Sequence, residues 1–200
     1  MKCMILDSSI NYIVSGLERS GTSMLMQMLS AAEIPVAHDK NRLPDVSNPK
    51  GYFELEGGKI INKLINNTFP FDRYKGKFLK ITSYGLKFLP KGNYKIIYSE
   101  RNIEEILDSM EKMTRISDED RFQTKKALIN LNGYIKDQLR HRVDIEYLIV
   151  NYNNILTDPK LHLKKIQEFL QLPEKTIVKM AYAIDQRLYR QRKNVKIHRN

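Results

Sequence analysis

Cysteine is almost absent from this chain: Cys3 is the only one in 200 residues. That excludes an intrachain disulfide framework and any cysteine-built zinc site, and it fits a reducing compartment. Glycine and proline are sparse, at 9 and 7 residues, which excludes collagen-like and linker-type sequence. Long apolar runs are missing as well. No stretch approaches the ~20 residues of a membrane helix, and the opening MKCMILDSS has too short an apolar run for a signal peptide. A cytoplasmic protein is expected. Acid is in the minority, with 23 Asp and Glu against 34 Lys and Arg, for a net charge of +11. Such a surface attracts polyanions or phosphate-rich small molecules. The excess is uneven. Between Ala181 and Asn200 six basic residues face one acid, Asp185. A chain of this length buries roughly 70% of its unfolded surface and needs no metal or disulfide to fold. One domain over residues 1–200 is expected, with a basic helical segment from about 174 to 200.

Apolar runs of two periodicities alternate along the chain. Tyr12 to Gly16, Phe78 to Thr82, Tyr94 to Tyr98 and Tyr147 to Tyr152 are short and nearly continuous in apolar residues, as strands buried on both faces are. Helical patterns separate them, over Thr22 to Ala32, about Leu55 to Asn67, Asn102 to Met113, about Asp118 to Arg142, and Pro159 to Leu170. Asn102 with Glu105, Ser117 before three acids, and Asp158-Pro159 are helix-start signals. The order predicts a three-layer α/β domain with a central, mainly parallel sheet of about four or five strands. Ligands of such sheets bind at the carboxyl ends of the strands.

Chemistry enters at the first strand. It stops at Gly16 and runs through Leu17-Glu18-Arg19-Ser20-Gly21-Thr22-Ser23 into a helix. Two glycines five apart allow a turn whose amides point inward, and the helix offers its free N–H groups and positive dipole end to a phosphate. The spacing is that of a nucleotide-binding P-loop, but Thr22 stands where a nucleoside triphosphatase needs lysine, and the positive charge lies earlier, at Arg19. That argues against ATP or GTP hydrolysis and for a phosphate carrying another transferable group.

Residues Ile13 to Met24 resemble the 5′-phosphosulfate loop of sulfotransferases that use 3′-phosphoadenosine 5′-phosphosulfate (PAPS). The pattern basic-Ser-Gly-Thr-[Ser/Thr] is matched by Arg19, Ser20, Gly21, Thr22 and Ser23. A second element of that family is an arginine ending a later strand with a serine eight positions on; here these are Arg101 and Ser109. Asn48-Pro-Lys-Gly-Tyr-Phe-Glu54 and the stretch Tyr147 to Pro173 resemble segments of bacterial members. The likeness covers about residues 12–173. Two departures stand out. The glycine-containing basic loop near the family's C-terminus has no evident counterpart, since Arg190-Gln-Arg-Lys193 lacks the glycine. Glu18 also stands where many relatives carry proline.

The resemblance implies a PAPS-dependent sulfotransferase acting on a hydroxyl or amine of a small-molecule or glycan acceptor, with no metal required. It implies that Ser20 to Ser23 hold the 5′-phosphate, Arg19 steadies the leaving oxygen, and Arg101 with Ser109 holds the 3′-phosphate. Arg190 or Arg192 could add to that last contact. The catalytic base is a histidine in cytosolic members and a glutamate in Golgi-type and some bacterial ones. Glu54 is the first choice here, ahead of Glu56 and His38. Lys80 suits either a sulfonate contact or a snorkelling role. The rival readings are a P-loop small-molecule kinase and a non-catalytic polyanion- or RNA-binding protein, the latter without any recognisable nucleic-acid motif.

Overall fold

The computed structural model describes residues 6–39, 41, 43–45 and 48–185. Strand β1 (Asn11–Gly16) is buried along its whole length, because it lies between two strands and beneath helices on both faces. β2 (Phe78–Lys80), β3 (Tyr94–Glu100) and β4 (Ile145–Asn151) complete a sheet in the order β2-β1-β3-β4. Every pairing is parallel; Tyr12 lies opposite Phe78 on one side and Lys95 on the other. The α/β architecture with a parallel sheet is as expected.

Eight α-helices are described: α1 (Thr22–Ala31), α2 (Ile61–Ile65), α3 (Ser83–Leu86), α4 (Ile103–Thr114), α5 (Arg121–His141), α6 (Tyr152–Thr157), α7 (Pro159–Phe169) and α8 (Lys175–Ala183). The period-2 alternation of strand side chains sorts them into two layers. Tyr12, Val14, Ile97 and Val150 meet Leu25 and Met28 of α1, Leu163 and Ile166 of α7, and Met180 of α8. Ile13, Leu79, Ile96 and Tyr98 point the other way, to Leu64 of α2, Leu86 of α3, and Ile135 and Leu139 of α5. Full burial of a residue such as Ile13 or Val14 contributes about 1.5–3 kcal/mol. None of the described helices is long and apolar enough to cross a membrane.

Several boundaries differ from the sequence reading. The helix expected over Leu55 to Asn67 is a 3-10 turn (Glu56–Gly58) followed by the short α2, because Gly57 and Gly58 adopt positive φ of 63° and 88° and break the spiral. α5 starts at Arg121, capped by Asp120, whose side chain accepts from the Gln123 amide; Ser117 does not cap it. Tyr152, read as the end of a strand, opens α6, since Asn151 accepts from the Asn154 amide and caps it. Asp158 caps α7 with Pro159 in its first turn, as expected. Among the described residues, α8 is the helical part of the segment expected from about 174; Arg190 and Arg192 lie outside the described residues.

Candidate active site

The carboxyl ends of β1, β2 and β3 share one edge of the sheet, and a cleft of about 710 Å³ opens there. Its floor is the turn from β1 into α1. Gly16 has φ +153°, and a side chain there would run within 2.5 Å of the Ser99 carbonyl. Arg19 takes φ 66°, and Gly21 takes φ 102°, where a Cβ would lie 2.3 Å from the Tyr152 ring. Only glycine fits at Gly21 without strain and without displacing that ring. Gly21 is also the N-cap of α1, and among the described residues no side chain caps the helix. The first-turn amides of α1 therefore remain donors for an anion, reinforced by the helix dipole.

Side chains from three further elements close on this loop. Arg101, just past β3, donates from Nε to Glu105 Oε2 at 2.9 Å and from Nη1 to the Arg19 carbonyl at 3.0 Å. Its guanidinium lies 4.6 Å from the centre of the Tyr152 ring. Glu105 in turn accepts from Asn153 Nδ2 at 3.1 Å through both oxygens. The Arg101–Glu105 pair is buried, and removing either partner would leave an uncompensated charge. Arg19 donates from Nε to Ser109 Oγ at 2.9 Å and lies against Met113 on α4. Ser109 and the two arginines thus form one wall of the cleft.

Lys80, the last residue of β2, sits opposite. Its Nζ donates to Ser23 Oγ at 3.0 Å, to the Tyr52 carbonyl at 2.9 Å and to Glu54 Oε1 at 2.9 Å. This one ammonium ties the loop at Tyr52–Glu54 to the start of α1. Both members of the Lys80–Glu54 pair are largely withdrawn from solvent. Beyond them, Tyr52 donates its hydroxyl to Asp45, and Gln27 donates to Asn48, along the same cleft. A carboxylate, a lysine and a serine hydroxyl therefore converge beside the uncapped start of α1.

The sulfotransferase domain matches residues 10–199 of the chain. The chain belongs to the sulfotransferase family. Its fold is similar to that of a mouse sulfotransferase complexed with PAP, at 16% identity and a TM-score of 0.53, over 95% of this chain and 68% of that one. It is likewise similar to the sulfotransferase domain from the Synechococcus olefin synthase, at 14% identity and a TM-score of 0.54, over 96% of this chain and 87% of the other. Comparison with curated proteins gave no match. The sulfonate-transfer function read from the sequence stands on the family match, and the kinase and RNA-binding readings are not favoured.

Within this cleft, Arg19, Gly21, Thr22, Ser23, Arg101, Ser109, Glu54 and Lys80 all line the walls. Ser20 does not. Its side chain is fully buried beneath the loop, in the space left by the missing Cβ of Gly16, and its hydroxyl has no hydrogen-bond partner among the described residues. Its amide is taken up by the Leu17 carbonyl, and its own carbonyl accepts from Ser99 Oγ at 2.7 Å. Ser20 thus shapes the loop instead of offering a hydroxyl to the cleft. His38 is exposed, packs on Phe53 with ring centres 4.9 Å apart, and is not part of the wall. Glu56 is paired with Lys63 at 2.5 Å, also off the wall. Glu105, Tyr152 and Asn153 were not read as site residues; Glu105, read as the capping-box partner of Asn102, accepts instead from Arg101, while Asn102 caps α4 by accepting from the Glu104 amide. The one signal available for Glu105 was its i,i+4 spacing from Arg101 across a helix start.

Proposed function

We propose that this sulfotransferase domain acts as one unit that moves a sulfonate from PAPS to a hydroxyl or amine on a small molecule or glycan. The observation that carries the donor reading is the uncapped start of α1 facing the same cleft as Arg19, Arg101 and Ser109. Cations, hydroxyls and helix amides suit a ligand with two separate phosphates. The single cysteine favours a cytoplasmic setting for the reaction.

In the proposed reaction the acceptor oxygen or nitrogen attacks sulfur. A new S–O or S–N bond forms while the bond from sulfur to the 5′-phosphate oxygen breaks, and that electron pair leaves with the phosphate. Glu54 takes the acceptor proton. Lys80 holds the Glu54 carboxylate in place and stands where it can also meet the sulfonate, through the Ser23 side of the loop. Arg19 and the amides of α1 stabilise negative charge growing on the leaving oxygen. The products are the sulfated acceptor and 3′-phosphoadenosine 5′-phosphate (PAP).

Label transfer tests the reading. With PAPS carrying radioactive sulfonate and a panel of alcohols, glycans, amines and peptides, the expected result is label on at least one acceptor and PAP formed in equal amount. Label appearing only as inorganic sulfate, or no PAP formed with any acceptor, contradicts it.

A further inference from the structure

We infer that the acceptor is a small aliphatic alcohol that carries a positive charge, with its chain in a second cavity beside Glu54 and its cation at Glu18; the inference rests on the sulfonate-transfer reading above. This cavity, of about 140 Å³, is lined by the turn at Gly57 and Gly58, by Ile61 and Leu64 of α2, by Gly85 of α3 and by the end of β2. It shares Glu18, Glu54, Lys80 and Thr82 with the larger cleft, so the two spaces adjoin across the Lys80–Glu54 pair. A molecule seated in the smaller space therefore meets the carboxylate proposed as the base. Glu54 Oε2 lies against Gly58, where a Cβ would come within 2.9 Å of it. Glycine at that position keeps the carboxylate at the cavity wall.

Size and lining give the class of molecule. Leu55, Ile60, Ile61, Leu64 and Ile81 make the lining aliphatic, and Ile60, Leu64 and Ile81 are buried. Such a wall favours a hydrocarbon chain over a sugar, whose hydroxyls would lose their water without gaining partners. An apolar cavity of about 150 Å³ holds benzene, so a group of about six heavy atoms fits here. The rim gives the charge. Of the residues lining both spaces, Glu18 and Glu54 bring two carboxylates and Lys80 one ammonium, which leaves one negative charge in excess. Lys80 and Glu54 are bound to each other, and Arg19, next to Glu18 in the chain, is drawn away to Ser109. Glu18 is exposed and makes no side-chain hydrogen bond or ion pair among the described residues. An acid there repels an anionic donor unless a cation accompanies it, and it stands where many relatives carry proline. An ammonium on the acceptor pairs with Glu18 and offsets that repulsion. An alkylammonium stays protonated near neutral pH and is no nucleophile. The attack on sulfur therefore comes from a hydroxyl of the same molecule. Its proton goes to Glu54, while the bond to the 5′-phosphate oxygen breaks and that electron pair leaves with PAP.

The test compares 4-aminobutan-1-ol with pentan-1-ol, 4-hydroxybutanoate and the longer 8-aminooctan-1-ol. Each is measured for kcat/KM of label transfer from radioactive PAPS and, by ligand-observed NMR, for binding to the PAP-loaded chain. The proteins are the wild-type chain, Glu18→Gln, Ile61→Ala and Glu119→Gln, the last a charge control outside both spaces. On the wild-type chain 4-aminobutan-1-ol should surpass pentan-1-ol by about fivefold in both readouts, and 4-hydroxybutanoate should be the poorest. Glu18→Gln should bring the first ratio close to one. Ile61→Ala, which widens the cavity, should shift the preference toward 8-aminooctan-1-ol. Label on other acceptors without a preference for 4-aminobutan-1-ol, or a preference that survives in Glu18→Gln, overturns this inference alone. An equal loss of preference in Glu119→Gln overturns it too, because the effect would then be general charge. No label on any acceptor and no PAP formed overturns the sulfonate-transfer reading, and this inference with it.

Discussion

Glu54 and Arg19 stand on different walls of the cleft, and their chemistry separates accordingly. Glu54 is held by Lys80 next to Ser23, while Arg19 is drawn along α4 to Ser109. Glu54→Gln removes the proposed proton acceptor and keeps the shape, so turnover should fall by about 10² to 10⁴-fold with PAP affinity unchanged. Arg19→Ala should lower both, since that side chain lines the wall proposed to hold the donor. Steady-state kinetics beside calorimetry reads the split, and full activity in Glu54→Gln would remove it as the base. Arg19, Thr22, Ser23, Arg101 and Ser109 were legible in the sequence because a glycine-bounded loop and an arginine–serine spacing are local patterns. Glu105 was not. As a string it is a first-turn acid of a helix, and its burial against Arg101 follows only once β3 delivers that arginine beneath the loop. The inward turn of Ser20 was hidden for a similar reason, because it depends on the bend at Gly16.

The strands were readable because all four are nearly continuous apolar runs, and burial on both faces is what such runs require. The helices were harder wherever they are short. α3 and α6 span only four and six residues, too few for a periodicity to show. The stretch before β2 carried apolar residues at helical spacing, but the positive φ of Gly57 and Gly58 overrides it. The connection from α5 into β4 is fixed by a different device. Arg142 donates to the Leu89 and Pro90 carbonyls at 2.8 and 2.7 Å and to Asp144, which accepts from the Gly92 amide at 2.9 Å. The Arg142 guanidinium, chiefly, holds the Asp144 carboxyl well below the usual carboxylate range. A lowered folded-state pKa means that this contribution is complete above the unfolded value near 4 and is lost as pH falls through the folded one. Asp144→Asn should cost about 1.5–3 kcal/mol at neutral pH, the range for a hydrogen bond to a charged group. Denaturation of both proteins between pH 7 and pH 2 should show that gap constant above the carboxylate range and shrinking below it. A gap that grows on acidification would refute the assignment.

Taken as one object, the molecule gathers its candidate site residues at a single edge of its sheet. β1, β2 and β3 deliver the loop, Lys80 and Arg101 to that edge, and α1 and α4 supply an open helix start and Ser109. The net charge of +11 adds long-range attraction for a ligand with several negative charges. Charge alone would favour any polyphosphate. The arrangement argued above requires instead one phosphate at the start of α1 and a second beside Arg101 and Ser109. Calorimetric titration of the full chain with PAP and, separately, with ATP distinguishes these most directly. PAP should bind at least about tenfold more tightly than ATP, which has no 3′-phosphate to place against the α4 wall. Equal affinities, or tighter binding of ATP, would contradict the assignment of this cleft as a PAPS site.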